Sequence, residues 1–338
     1  MNAGAQSIEP WQPVETEARR IPPPETISLA ARAFLAAGAA NPPAVRPGVD
    51  DLDGWHRAAA ASEAMWEPVA RAMLAGTSAQ VEDARIAGVP VYIATPAAGD
   101  TRSAGPIYLY MHGGAFVFGG GLFARAHGAV NADRIGCTVV SVDYRMPPAH
   151  PFPAAPDDCL AVYEALCAQY GAGRIVIGGS SAGGNLAAVT ALMIRDRGLP
   201  PPAAVVLLTP EVDLTEAGDS FRTNEMLDVV LKRGLPECNA LYAGGADLTD
   251  PYLSPLFADF TAGYPPTLIQ TGTRDLFLSN SAMLHRKLRA AGIEAELHVW
   301  EAMPHGGFGG ATPEDEEIHA EVRRFIHRRC GTVHTAAA

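Results

Sequence analysis

From residue 89 onward the chain repeats one pattern: a short, β-branched apolar run, then a longer helical segment closed by glycine. The runs are VPVYIAT (89–95), PIYLYM (106–111), CTVVSV (137–142), RIVIGG (174–179), AAVVLL (203–208), PTLIQT (266–271) and AELHVW (295–300). Between them lie segments such as CLAVYEALCAQYG (159–171) and NLAAVTALMIRDRG (185–198), each ending at a glycine that can close a helix. Runs that are apolar at nearly every position are buried on both faces, and helices between them supply the cover. The pattern therefore predicts an α/β fold with a mostly parallel sheet.

Two regions break this rhythm. Before residue 77 the chain reads as a polar, Pro-rich start followed by two helices, one from Ser28 to Gly38 and one from Asp51 to Gly76, with Ser28 a suitable N-cap. Residues 211–250 are rich in acidic residues, Gly and Thr, with short helical hints and no convincing strand. The expected organisation is a helical N-terminal part over 1–76, a core over 77–210, an insertion over 211–250 and the rest of the core over 251–332. The tail VHTAAA is expected to be disordered.

Charge and composition exclude several classes. A formal net charge of −12 with no basic stripe repels polyanions, so no nucleic-acid partner is expected. MNAGAQSIEPWQP lacks the basic and apolar regions of a signal peptide, and ISLAARAFLAAGAA is interrupted by Arg32 and is too short to span a membrane. The expected chain is soluble and cytoplasmic. Its five cysteines are odd in number and scattered without C-x-x-C spacing, which favours free thiols over a disulfide framework or a metal site.

The chemistry concentrates at the ends of the apolar runs. GGSSAGG (178–184) lies between a strand and a helix, where a nucleophile elbow belongs, and a flexible Gly-Ser turn is the plain alternative. The G-x-S-x-G template selects between the two serines. Centred on Ser181 it reads Gly179-Ser180-Ser181-Ala182-Gly183, and centred on Ser180 it fails at Ala182. YMHGGAFVFGG follows the strand PIYLYM, and no G-x-x-x-x-G-K-[ST] or G-x-G-x-x-G spacing supports a phosphate loop there. Consecutive glycines let backbone N–H groups approach an ester carbonyl, so this loop is the candidate oxyanion hole, with His112 as a hydrogen-bonding support. Asp275 stands just past PTLIQT and His305 just past AELHVW, which completes the chain order Ser, Asp, His. Asp275 as a helix cap and His305 as a surface histidine are the duller readings. The other histidines fare worse: His298 lies inside a strand, His285 on a helix, and His319 and His327 on the terminal helix.

HGGAF, VVSVDYRMPPAHPFPAAPDDC (139–159), GGSSAGGNLA (178–187), DPYLSPLFA (250–258), GTRDLF (272–277) and MPHGGF (303–308) together resemble the hormone-sensitive-lipase-like branch of the α/β-hydrolases, the bacterial family IV esterases. The resemblance implies an α/β-hydrolase fold with an eight-stranded, mostly parallel sheet. It implies a helical cap built from the N-terminal segment and the insertion after the sixth strand. It also implies a carboxylic-ester hydrolase without a cofactor or metal, acting on short to medium acyl esters. The catalytic residues would be Ser181, Asp275 and His305, and the oxyanion donors Gly113, Gly114 and Ala182. Ala115, Phe116 and Phe118 would line the substrate pocket, and a homodimer is an open expectation. Four departures stand out. Ser180 replaces the frequent Asp or Thr, Ala115 replaces the third glycine of HGGG, and Pro147-Pro148-Ala149-His150 lacks the familiar acidic residue. Asp275-Leu276-Phe277-Leu278-Ser279 resembles members that open lactones, which keeps lactone hydrolysis as an alternative. Amide hydrolysis with the same triad is a further alternative. A purely ligand-binding role would go with loss of the catalytic histidine, and His305 is present.

Overall fold

The computed structural model describes residues 20–260 and 263–331; the start MNAGAQSIEPWQP and the tail VHTAAA lie outside them. Eight strands form one sheet: β1 (Gln80–Ile86), β2 (Val89–Thr95), β3 (Ile107–Met111), β4 (Thr138–Val142), β5 (Ile175–Ser180), β6 (Ala204–Leu208), β7 (Thr267–Gly272) and β8 (Ala295–Trp300). Their order is β1-β2-β4-β3-β5-β6-β7-β8; β1 and β2 pair antiparallel, β2 meets β4 antiparallel, and all later pairs are parallel. The seven apolar runs became β2 to β8. The remaining strand, β1, left no apolar run because QVEDARI is an edge strand with four of its seven residues exposed.

Period-two alternation divides the core into two layers. Ile107, Leu109, Ile177, Val205, Leu207 and Ile269 face α4 (Ala154–Tyr170), α5 (Ala182–Asp196) and α8 (Leu278–Ala290), meeting Leu160, Tyr163, Leu186 and Leu284. On the other face Tyr108, Tyr110, Val176, Val206 and Leu268 meet Ala132 and Ile135 of α3 (Leu122–Ile135) and Val322 and Phe325 of α9 (Pro313–Arg329). Every parallel strand therefore ends at the same edge of the sheet, and the loops leaving that edge hold the candidate site.

Helices α1 (Leu29–Ala39) and α2 (Leu52–Ala75) close over this edge. Ser28 caps α1 through its Oγ, which accepts from Ala31 N at 3.1 Å, and ties it to α9 by donating to Glu314 at 2.8 Å. Ala31 and Leu35 then pack on Val229, Met303 and Phe308. Asp51 caps α2 by accepting from Gly54 N at 2.8 Å. Trp55 is the anchor of α2, fully buried among Val117, Phe221, Leu235 and Phe277 with its indole N–H donating to Gly48 O at 3.0 Å. Within 211–250 the structure has two short helices, α6 (Ser220–Thr223) and α7 (Pro236–Ala243), and no strand. No helix of the described residues is long and apolar enough to cross a membrane.

Candidate active site

The turn from β5 into α5 is a tight one. Ser181 sits at its apex with φ 58° and ψ −122°, a conformation that L-residues rarely adopt and that surrounding contacts must enforce. Both glycines of the motif are required by close approach. A Cβ on Gly183 would lie 2.0 Å from Met111 O and 2.6 Å from His112 O, and one on Gly179 would lie 2.4 Å from the Gly183 carbonyl and 2.5 Å from Met111 O. The elbow is thus pressed against the end of β3, which brings the HGGAF loop to the serine. A Cβ on Gly113 would stand 3.3 Å from Ser181 Cβ and 2.9 Å from Ser180 O.

That loop is supported from behind by His112 and Tyr144. The two rings stack at 4.1 Å, Tyr144 Oη donates to His112 O at 2.7 Å, and His112 Nδ1 lies 2.8 Å from Gly113 O. Burial lowers the His112 pKa and keeps its ring neutral, as suits a support rather than an acid. Ala115 and Phe116 then turn with φ 52° and 64°, reversing the chain. This reversal corrects one expectation. Phe116 does not line the substrate pocket; it is fully buried and stacks on Tyr242 at 4.0 Å, because the left-handed turn aims its ring into the core. Ala115, Val117 and Phe118 face the cavity.

The loops after β7 and β8 are tied to each other by backbone. Thr273 N donates to Trp300 O at 3.0 Å and Arg274 N to Met303 O at 3.2 Å, while a Cβ on Gly272 would lie 2.0 Å from Met303 O. This pairing brings Asp275 and His305 together beside Ser181. His305 Nε2 is 2.9 Å from Ser181 Oγ, and His305 Nδ1 is 3.0 Å from Asp275 Oδ1. Asp275 is fully buried; its Oδ2 accepts from Thr271 Oγ1 at 2.7 Å and its Oδ1 from Phe277 N at 3.0 Å. Burial works against protonation of His305, but the hydrogen bond and charge of Asp275, with Asp228 and Glu211 adding to them, raise its pKa above the ordinary histidine value.

Three residues near Ser181, His305 and Asp275 left no motif in the sequence. Asn224 Nδ2 donates to Asp275 O at 2.8 Å. Glu211, fully buried with its Oε1 accepting from Asn239 at 2.9 Å, has its pKa pushed up to about 8 by burial and by the neighbouring Glu216. Asp228, also fully buried, bonds to the backbone of the loops that carry Asp275 and His305. Isolated acidic and amide residues inside an irregular segment carry no spacing signal, and only the folded chain brings them to the site. Ser180 lies on the cavity wall, half-buried, and its hydroxyl has no protein partner among the described residues.

Above the serine opens a cavity of about 2360 Å³, with Ser181, His305, Gly113 and Gly114 at its base and Met65, Trp66 and Val69 of α2 in its roof. Its volume is ample for a small-molecule substrate. The sequence profile of the α/β-hydrolase fold family matches residues 108–308. The chain is 36% identical over 225 residues to esterase LipI of Mycobacterium tuberculosis, covering 63% of this chain and 69% of that one. It is 34% identical to an acetyl-hydrolase of Streptomyces hygroscopicus, over 60% of this chain and 69% of the relative. Among solved structures, esterase E25 superposes with a TM-score of 0.85 at 34% identity, covering 94% of this chain and 98% of that one. The hormone-sensitive-lipase homologue EstE7 from a metagenome library superposes with a TM-score of 0.75 at 32% identity, covering 89% and 98%.

Proposed function

The chain belongs to the α/β-hydrolase family, in its hormone-sensitive-lipase branch of serine carboxylesterases, and we propose that it cleaves carboxylic esters of short to medium acyl chain through an acyl-enzyme on Ser181. The observation that carries this reading is the continuous hydrogen-bonded chain from Ser181 Oγ through His305 to Asp275, at 2.9 and 3.0 Å, opening onto the cavity.

Ser181 Oγ attacks the ester carbonyl while His305 Nε2 takes its proton. Asp275 accepts the Nδ1 proton, fixes the tautomer and stabilises the imidazolium as it forms. The tetrahedral oxyanion is met by the N–H groups of Gly113, Gly114 and Ala182; Ala182 is the first residue of α5, so its N–H also carries the positive end of the helix dipole. Support for this hole comes from the close packing of Gly113 on the elbow and from the three N–H groups having no protein acceptor among the described residues. His305 then returns its proton to the departing alcohol. Water, deprotonated by the same histidine, attacks the acyl carbonyl, and His305 returns that proton to Ser181 Oγ as the acyl C–O bond breaks and the acid is released. Ala115 keeps the backbone donor that a third glycine would supply, and with Phe118 it shapes the pocket wall.

A substrate panel tests this reading: aryl esters, aliphatic esters of graded acyl length, lactones and anilides, each with the wild type. Turnover concentrated on short and medium esters is expected. Absence of ester turnover, or faster anilide than ester cleavage, would overturn it.

A further inference from the structure

We infer that Asp228 is a positioning residue for the triad: a buried carboxylate from the 211–250 insertion that clamps the Asp275 and His305 loops together and holds negative charge beside the His305 imidazolium. The inference rests on the esterase reading above and deepens it.

Both oxygens of Asp228 are fully used by backbone donors. Oδ2 accepts from Leu276 N at 2.9 Å and from His305 N at 3.1 Å, joining the residue after Asp275 to the catalytic histidine itself. Oδ1 accepts from Val230 N at 2.9 Å and Leu231 N at 3.0 Å, which fixes the carboxylate to its own loop. Asp228 is fully buried, and Val229 beside it packs on α1 through Ala31 and Leu35. The Asp228 side chain thus links the insertion to the Asp275 and His305 loops, and the neighbouring Val229 extends the link to α1. A carboxylate that accepts four N–H bonds is held rigidly, and no neutral side chain of its size accepts four without turning a donor toward one of them.

The charge acts as well as the bonds. The titratable groups facing His305 are Asp275 from the loop after β7, Asp228 from the insertion and Glu211 from the segment after β6; those facing Asp228 are His305 and Asp275. Burial and the proximity of Asp275 push the Asp228 pKa up to about 6, against the pull of His305, so it is ionised at neutral and alkaline pH. When His305 takes the serine proton, two buried carboxylates share the stabilisation of the cation. Removing one lowers the proton affinity of His305 and weakens the transition state.

The test is the pH dependence of kcat/KM on an ester, normalised to sites titrated with an organophosphonate, in wild type, Asp228→Asn and Asp228→Glu. Normalisation removes loss of folded protein from the comparison. Asp228→Asn is expected to move the acid limb down by on the order of half a pH unit. Its kcat per titrated site is expected to fall on the order of tenfold, with a smaller change in KM. Asp228→Glu keeps the charge and is expected to keep the wild-type limb while losing rate through displaced loops. An unmoved limb in Asp228→Asn, or the same shift in both variants, overturns the inference. If Asp228→Asn does not accumulate, Asp228→Ser is read the same way. A wild type that takes no label at Ser181 would instead overturn the esterase reading itself.

Discussion

Gly183→Ala adds one methyl group at the place where the elbow touches the end of β3. Its Cβ would lie 2.0 Å from Met111 O and 2.6 Å from His112 O, both backbone atoms that no rotamer change can move. An ordinary contact there needs more than 3 Å, so helix α5 and the end of β3 must separate by roughly 1 Å. The segment that moves carries Gly113 and Gly114, while Ser181 stays with the elbow, so the displacement falls between the proposed nucleophile and two of its proposed oxyanion donors. A misplacement of about 1 Å costs on the order of 10²-fold in rate, equivalent to about 2.7 kcal/mol of barrier. Overpacking of a filled core adds about 1–3 kcal/mol of destabilisation. The assay is kcat/KM on an aryl ester together with urea unfolding, with Gly173→Ala as the control. A Cβ on Gly173 meets nothing within 4 Å, and the change there is expected to be within about 0.5 kcal/mol. A Gly183→Ala enzyme with wild-type rate and stability would refute the argument that close approach at the elbow assembles the hole.

Other consequences are as direct. Trp55→Ala removes the anchor of α2 and should cost about 3–5 kcal/mol in urea unfolding; a loss below about 1 kcal/mol would show that α2 is held elsewhere. Asp275→Asn should lower kcat on the order of 10⁴-fold while leaving organophosphonate-accessible protein folded by circular dichroism. Because the proposed mechanism needs neutral His305 and its pKa is raised, the acid limb of kcat/KM should lie above pH 6.5, with activity falling as pH drops through it. Glu211 has a folded pKa of about 8 against 4.5 unfolded, so its contribution to stability is full below about 4.5 and is lost as pH rises to 8. Glu211→Gln should therefore flatten the fall in stability across that window, measured by urea unfolding at several pH values, and an unchanged slope would contradict the burial argument.

What could be read from the sequence follows from how each element is buried. Strands β3 to β7 were legible because nearly all of their residues are buried, which leaves an apolar run, while β2 and β8 are only partly buried and were legible from the apolar residues they pack on the core, Val89, Val91 and Ala94 in β2 and Ala295 and Leu297 in β8. Strand β1 is half-exposed and charged, and α3 packs through Ala132 and Gly128, the latter against Ser141, so neither shows an apolar stripe. The elbow was legible because steric contact demands glycine at fixed spacing, and Asp275 and His305 because chain order and strand ends restrict where they can stand. Phe116 was misassigned because its direction depends on two consecutive left-handed residues, Ala115 and Phe116, that have no glycine to announce them. Asp228 was invisible for a different reason: its partners are backbone N–H groups 48 and 77 residues away, and a bond to backbone leaves no trace in residue type at the other end.

The central claim is that Ser181, and not its neighbour Ser180, becomes acylated. Mass spectrometry of the protein treated with an aryl organophosphonate addresses it directly, with Ser181→Ala and Ser180→Ala treated alongside. The account predicts one adduct per chain on Ser181, retained in Ser180→Ala and absent in Ser181→Ala, with ester turnover lost on the order of 10⁴-fold or more only in the latter. An adduct on Ser180, or substantial turnover by Ser181→Ala, would contradict it.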